Sequence, residues 1–322
     1  MSQDTDTTPT TDTADLKRGP FESWVNRSIS NPENVYQAMF YLVTGFFLVT
    51  TLFPFYWLVV LALTPNEQIV DMGLLPKGTN VGAFVEVFQA IPFHRFVINS
   101  LLIATATTII VLVLASLAGY VFGRLDFPGK KPLMLVILAI SYFPPAAFLL
   151  PLFSLFTGGK ALYFQTSAIT IGLQSPDLYN SPWPMVMPFS ALFLPLSIFI
   201  LTTFYGQIPD GLEDAARIEG TTRLGALARV IVPLSAPGIA TAGVLTFITV
   251  YNEYFFSSLM TNGAWQNWAP IVEGILGYRG HHETPYNLMA AASIVGVLPV
   301  AILVVVAQEK IVSGLTSGAL KE

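Results

Sequence analysis

The residues with most chemical content lie in one short run, Asp210-Gly211-Leu212-Glu213-Asp214-Ala215-Ala216-Arg217-Ile218-Glu219-Gly220. Asp210 with Glu213 three positions on is a capping-box variant that would start a helix. Glu213 and Asp214 then fall in the first turn, where the helix dipole favours negative charge. Arg217 follows Glu213 by four and Asp214 by three, a supportive helical spacing. Gly220 stands where a helix would end in a left-handed residue, and Thr221 or Thr222 would cap a second helix that stops near Pro233. The spacing predicts two short helices joined at a glycine. Ala215 and Ala216 leave a nearly flat patch that another backbone could approach closely. The chemistry on offer is binding rather than bond-making. An ordinary interfacial helix is the alternative, but such helices carry Lys and Arg on the polar face, not an acidic first turn.

Other reactive groups are scarce. The chain has no cysteine, which excludes disulfides, thiol nucleophiles and Cys-based metal sites. His94, His281 and His282 are too scattered for a metal cluster, and His281-His282-Glu283 reads as an exposed polar loop. No catalytic residue, metal ligand or cofactor is assigned to the chain. Gly158-Gly159-Lys160 and Gly129-Lys130 lack the rest of a phosphate-cradling loop. Glu253 is the one acid within a predicted span, a functional candidate by default. It lies about 27 Å along a helix from Leu234, near the outer interface. There it suits either a functional contact or a packing hydrogen bond, and its aromatic neighbours Tyr251 and Tyr254 equally suit a belt of anchors. Gly119 and Gly123 form a Gly-x-x-x-Gly pair that predicts close helix packing.

The elements that position these residues belong in a membrane. Of 322 residues 53% are hydrophobic and 11% charged, against about 25% charged in a typical soluble domain; mean hydropathy is +0.62. A crossing helix needs about 20 apolar residues. Six stretches qualify: 40–63, 96–122, 132–156, 183–205, 234–260 and 288–307. The expected fold class is therefore all-α, a polytopic membrane protein with six transmembrane helices. Pro54, Pro144, Pro145, Pro195 and Pro299 fall inside spans and would bend them. Residues 161–176 are apolar but short and contain Gly172, which suits a lateral or re-entrant segment.

Basic residues set the orientation. Lys17, Arg18, Arg27, Arg124, Lys130, Lys131, Arg217, Arg223, Arg229, Lys310 and Lys321 share one side, and only Lys77, Arg95, Lys160 and Arg279 the other. Both termini and the loop at 208–233 are thus expected to be cytoplasmic, in a multi-pass protein of the cell membrane surrounded by lipid. A net charge of −5 argues against nucleic acid as a partner. Three regions follow: an acidic, disordered cytoplasmic tail, 1–35; a membrane domain, 36–312; and a cytoplasmic tail, 313–322. The start, with Asp4, Asp6, Asp12 and Asp15, lacks the basic onset and apolar core of a signal peptide.

Asp214-Ala215-Ala216, then Gly220, then Val230-Ile231-Val232-Pro233 resembles the EAA motif of ABC importer permeases: Glu-Ala-Ala, three residues, Gly, nine residues, Ile-x-Leu-Pro. Asp214 replaces the glutamate, and Val230 and Val232 replace Ile and Leu, so either Glu213 or Asp214 could fill the glutamate's role. After about residue 35 the chain resembles the MalG-like carbohydrate importer family. Asn99-Ser100-Leu101 opens the second span as that family does. The run Ala118-Gly119-Tyr120-Val121-Phe122-Gly123-Arg124-Leu125-Asp126-Phe127-Pro128-Gly129 resembles its Ala-x-Tyr-x-Phe-x-Arg-x-x-Phe-x-Gly. Tyr251-Asn252-Glu253-Tyr254 is similar to its Trp-Asn-Glu-Phe, and Gly314-Leu315-Thr316-Ser317-Gly318-Ala319-Leu320-Lys321 to its Gly-Leu-Thr-x-Gly-x-x-Lys.

The resemblance implies an ABC importer type I permease fold and a subunit that binds no nucleotide. ATP and Mg would be bound by a MalK-like ATPase dimer, with a second MalF-like permease and an extracytoplasmic sugar-binding protein completing the machine. Glu213, Asp214, Ala215, Ala216, Arg217, Gly220 and Pro233 would form the coupling contact with the ATPase. Gly314, Leu315, Thr316 and Gly318 would form a second contact. Tyr251, Asn252, Glu253 and Tyr254, chemically suited to a sugar, are the substrate-path candidates. Two alternatives remain open: the same machine carrying a non-sugar solute, and a stand-alone secondary transporter. The second needs buried coupling charges or inverted repeats, and no clear repeat is visible.

Overall fold

A computed structural model describes residues 32–159, 161–165, 170–280 and 284–319. The acidic stretch 1–31, Lys160, His281-His282-Glu283 and Lys321 lie outside the described residues, as do the side chains from residue 310 on. Packing divides the chain into Met1–Trp57 and Leu58–Glu322. The first contains most of helix α1, Pro32–Leu63. This helix begins inside the region expected to be tail, because Pro32 suits a first helical turn and Glu33 favours its dipole.

The second body is built from helices α2 (Ala83–Ala90), α3 (Phe93–Arg124), α4 (Lys130–Ser141) and α5 (Ala146–Phe156), then a β-hairpin. After it come α6 (Trp183–Gly206), α7 (Asp210–Ile218), α8 (Arg223–Leu234), α9 (Ala236–Tyr251), α10 (Ser257–Met260), α11 (Ile271–Leu276) and α12 (Tyr286–Ala319). Among the described residues, helices α1, α3, α6 and α12 are each long and apolar enough to cross a membrane, and the number reaches six if each of two bent pairs is one crossing. Many large apolar side chains face outward, among them Leu102, Val113 and Leu117 of α3 and Leu196 and Phe199 of α6. Lipid, not water, suits such a surface.

Three expectations are corrected. The span at 132–156 is two helices, α4 and α5, meeting at 83°; Pro144 and Pro145 remove two backbone donors and force the bend. The span at 234–260 stops at Tyr251, and its start meets α8 at a second 83° bend. There Pro237 in the first turn of α9 cannot continue the hydrogen-bond ladder from α8. The described residues of the segment at 161–176 include two strands: β1, Ala161–Gln165, pairs antiparallel with β2, Thr170–Gln174. Tyr163, Phe164, Thr170 and Ile171 are strand formers, and a helix there would have carried the cost of Gly172 in its interior.

The core comprises two apolar clusters. One gathers Phe93, Met185, Phe189, Tyr251 and Phe256; the other gathers Tyr120, Leu201, Tyr205, Leu227 and Ile231. The backbones of α3 and α6 approach closely at the expected glycines. A Cβ on Gly119 would lie 2.9 Å from Leu201 Cβ, and one on Gly123 3.0 Å from Thr202 O. Beside them the Ser116 and Tyr205 hydroxyls share a 2.7 Å hydrogen bond. Gly119→Leu should therefore overpack this seam, cost about 1–3 kcal/mol and lower the melting temperature in detergent. Gly45→Leu, at a position with nothing within 4 Å, should not.

Candidate functional site

Helix α7 starts at Asp210, after Pro209 with φ −57° and ψ 135°. Pro209, not Asp210, occupies the cap position, and no side chain caps the helix. The expected capping box does not form, because both carboxylates turn towards α3 instead. Glu213 is buried, accepting a short hydrogen bond from the Tyr120 hydroxyl and one of 3.0 Å from Arg124 Nε. Arg124 Nη1 donates to Ile208 O at 2.6 Å and lies 2.9 Å from Asp210 Oδ1. Tyr120 and Arg124 are four residues apart, hence on one face of α3.

Burial pushes the Glu213 carboxyl up, but the hydrogen bonds from Tyr120 and Arg124 and the charges of Arg124 and Arg217 outweigh it and hold it below its ordinary value. Glu213 is accordingly an ionised, paired anchor. The side chain of Asp210 is 90% exposed, so its ion pair contributes about 0–1 kcal/mol. The Glu213–Arg124 pair, with side chains 8% and 4% exposed, is the structural one. Removing one partner of such a buried pair costs about 3–5 kcal/mol.

The opposite face of α7 is open. Asp214 is exposed and pairs only loosely with Arg217, at 3.8 Å. Ala215 is exposed, Ala216 half-buried, and Ile218 projects at 87% exposure. Gly220 has φ +91°, with nothing within 4 Å of where a Cβ would stand, as expected of the residue that ends the helix. Thr222 rather than Thr221 caps α8, its Oγ1 accepting from Gly225 N at 3.1 Å. Helix α8 contains a π-turn at Leu227–Ile231, and Pro233 is exposed near its end.

The residues at 251–254 separate into different environments. Tyr251 is buried, donates to Gly296 O at 2.9 Å and stacks on Phe247; it joins α9 to α12. Exposed Asn252 donates to Ile248 O at 2.9 Å. Glu253 accepts from Phe256 N at 2.9 Å and Ser257 N at 3.4 Å, and so starts α10 and ends the straight run of α9. It also borders a 440 Å³ cavity with Pro145, Phe189, Phe193 and Phe255. Tyr254 is exposed. Gly314, Leu315, Thr316 and Gly318 continue α12, which runs to Ala319.

The model of the family described as binding-protein-dependent transport system inner membrane component matches residues 112–316. The chain belongs to that family. It is therefore a multi-pass inner-membrane component of a transport system. It is 32% identical to the sulfoquinovosyl glycerol transport system permease protein SmoH of Agrobacterium fabrum, over 87% of this chain and 93% of that one. It is 34% identical to the trehalose transport system permease protein SugB of Mycobacterium tuberculosis, over 87% and 94%. A crystal structure of a bacterial ABC transporter that imports alginate shares the fold, with TM-score 0.69 and 17% identity over 86% of this chain and 97% of that one.

In this permease the sequence pattern located the loop but not its fastening. Tyr120 and Arg124 stood in a matched motif without an assigned partner; their four-residue spacing at the end of an apolar span was the available signal. Tyr120→Phe should remove one charge-assisted hydrogen bond and cost about 1.5–3 kcal/mol, whereas Asp210→Asn should cost about 0–1 kcal/mol. Because the folded-state carboxyl of Glu213 is held low, its contribution is complete above the ordinary value of 4.5 and is lost as pH falls through the lower folded value. Thermal melts of Glu213→Gln and the unaltered protein should differ at neutral pH and converge only below that ordinary value.

Proposed function

We propose that this permease is one of two membrane-spanning subunits of an ATP-driven, binding-protein-dependent sugar importer, and that the open face of α7 is its contact with the ATPase. The observation that carries the reading is the division between adjacent carboxylates. Glu213 is spent inside the chain on Tyr120 and Arg124, while Asp214 faces outward beside Ala215. Asp214 therefore takes the role of the motif's glutamate, and Glu213 holds the docking surface in place. The sugar class is supported by the trehalose and sulfoquinovosyl glycerol systems to which the relatives belong. The cargo is a mono-, di- or oligosaccharide delivered by an extracytoplasmic binding protein.

ATP and Mg are bound by the ATPase dimer, and the second permease is MalF-like. The α7–α8 loop and both termini are cytoplasmic, a reading supported by the basic residues Arg124, Lys130, Lys131, Arg217, Arg223 and Arg229 in the segments assigned to that side. Arg217, Gly220 and Pro233 shape the contact, and residues Gly314, Leu315, Thr316 and Gly318 of α12 add a second one. At 251–254 the buried ring of Tyr251 leaves Asn252, Glu253 and Tyr254 as the groups open to a passing sugar.

ATP hydrolysis by the assembled complex, measured with its binding protein over a panel of sugars, should be stimulated by one of them. Gly220→Pro cannot keep φ +91°, since proline requires about −65°. It should leave the subunit in the membrane but abolish that stimulation, and Asp214→Ala should weaken it without lowering the melting temperature. Sugar uptake into proteoliposomes that contain no ATPase would contradict the proposal.

A further inference from the structure

Helix α7 follows α6 in the chain, yet its side chains fasten it to α3. The Arg124 end of α3 holds it through Glu213, Asp210 and Ile208 O. The opposite end of α3 is fastened just as specifically, to the segment between α10 and α11. Asn99 Nδ2 donates to Trp265 O at 2.7 Å and to Ala269 O at 3.0 Å. The buried Ser100 hydroxyl accepts from Ile271 N at 2.8 Å. The Arg95 guanidinium lies over the Trp265 ring, 5.3 Å from its centroid. Phe96 packs so tightly on α11 that a Cβ on Gly274 would lie 2.7 Å from its ring.

Between these two ends α3 is a single helix of 32 residues with no internal proline. Asn99 and Arg124 stand about 38 Å apart along it at the α-helical rise. The other long helices are weakened along their length: α6 contains Pro188 and Pro195, and α12 contains Pro299. The pairs α4–α5 and α8–α9 are broken by bends of 83°. An unbroken helix with buried polar fastenings at both ends transmits displacement better than one that can flex at a proline. The glycine seam at Gly119 and Gly123 packs α6 closely against it.

We propose that α3 is the lever of this permease: it carries movement of α7 to the 265–271 segment at the far side of the membrane, with Tyr120, Arg124 and Glu213 as positioning residues at one end and Asn99 and Ser100 at the other. This rests on α7 being the ATPase contact. It assigns a transport role to Asn99 and Ser100, which touch neither the ATPase contact nor the cavity beside Glu253. Polar fastening, rather than apolar packing alone, fixes the register of each attachment, so that a push at α7 does not dissipate by sliding.

The test compares the two ends in the assembled importer, reading sugar transported per ATP hydrolysed. Asn99→Asp keeps the shape of the side chain but removes both donors, and Glu213→Ala releases the other end. Each should lower transport per ATP about fivefold or more, the factor expected from a coupling free energy at the low end of the usual range, while ATP hydrolysis persists. Ser100→Thr, which retains the hydroxyl, should keep the ratio. The absence of native cysteine permits a second measurement: the distance between spin labels on cysteines replacing Glu219 and Gln266. It should stay constant when the complex is trapped with an ATP analogue and broaden in Glu213→Ala. Full transport per ATP in Asn99→Asp, or a label distance that changes on trapping, would overturn the lever. If Gly220→Pro also leaves transport intact, the ATPase contact itself is wrong; if Gly220→Pro uncouples and Asn99→Asp does not, only the lever fails.

Discussion

A carboxylate buried at the end of a membrane helix needs donors on more than one side, and Glu213 obtains them from Tyr120 and Arg124. Taking an ionised group out of water without such partners costs several kcal/mol, so the pairing fixes where α7 can sit. Because Tyr120 and Arg124 share one face of α3, their side chains together tie α7 to that helix through Glu213. The same Arg124 satisfies Ile208 O in the turn between α6 and α7. One guanidinium thereby governs the exit from one helix and the entry to the next.

Much else follows from that attachment. With Glu213 turned inward, the helical rotation of about 100° per residue turns Asp214 outward and exposes Ala215 and Ile218. Gly220 then reverses the chain with a left-handed residue, and Thr222 starts α8. The open face is small, mixed in polarity and presented on a rigid support, which suits contact with another protein better than immersion in lipid. Tight packing of α3 on α6 through Gly119 and Gly123 fixes how these two helices sit against each other.

The sequence made parts of this legible and hid others for physical reasons. Helix α3 was clear because a long apolar run without proline has few alternatives in a membrane. Gly220 was clear because the chain needs a residue tolerant of positive φ after a short helix. The bend at Pro144 and Pro145 was visible as a break in the backbone ladder, but its size depends on what packs around it. Glu213 and Asp214 could not be separated, because adjacent residues differ only in which way the helix is turned, and tertiary pairing decides that. The apparent capping box failed for the same reason: a buried arginine competes better for Asp210 and Glu213 than exposed backbone amides do. The end of α9 was hidden within an apolar stretch, where Glu253 binds backbone amides of the next turn and stops the helix locally. The hairpin at 161–174 was obscured because short apolar runs do not distinguish strand from helix by periodicity.

The central claim is that α7 turns one acidic residue inward to hold its position and the next outward to meet the ATPase. A cysteine-free chain allows this to be read directly by placing single cysteines at residues 213, 215 and 218 in the assembled complex and adding a short bifunctional cross-linker. Cysteines at 215 and 218 should cross-link to the ATPase subunit, and one at 213 should not. Cross-linking from 213 alone, or from none of the three, would contradict it.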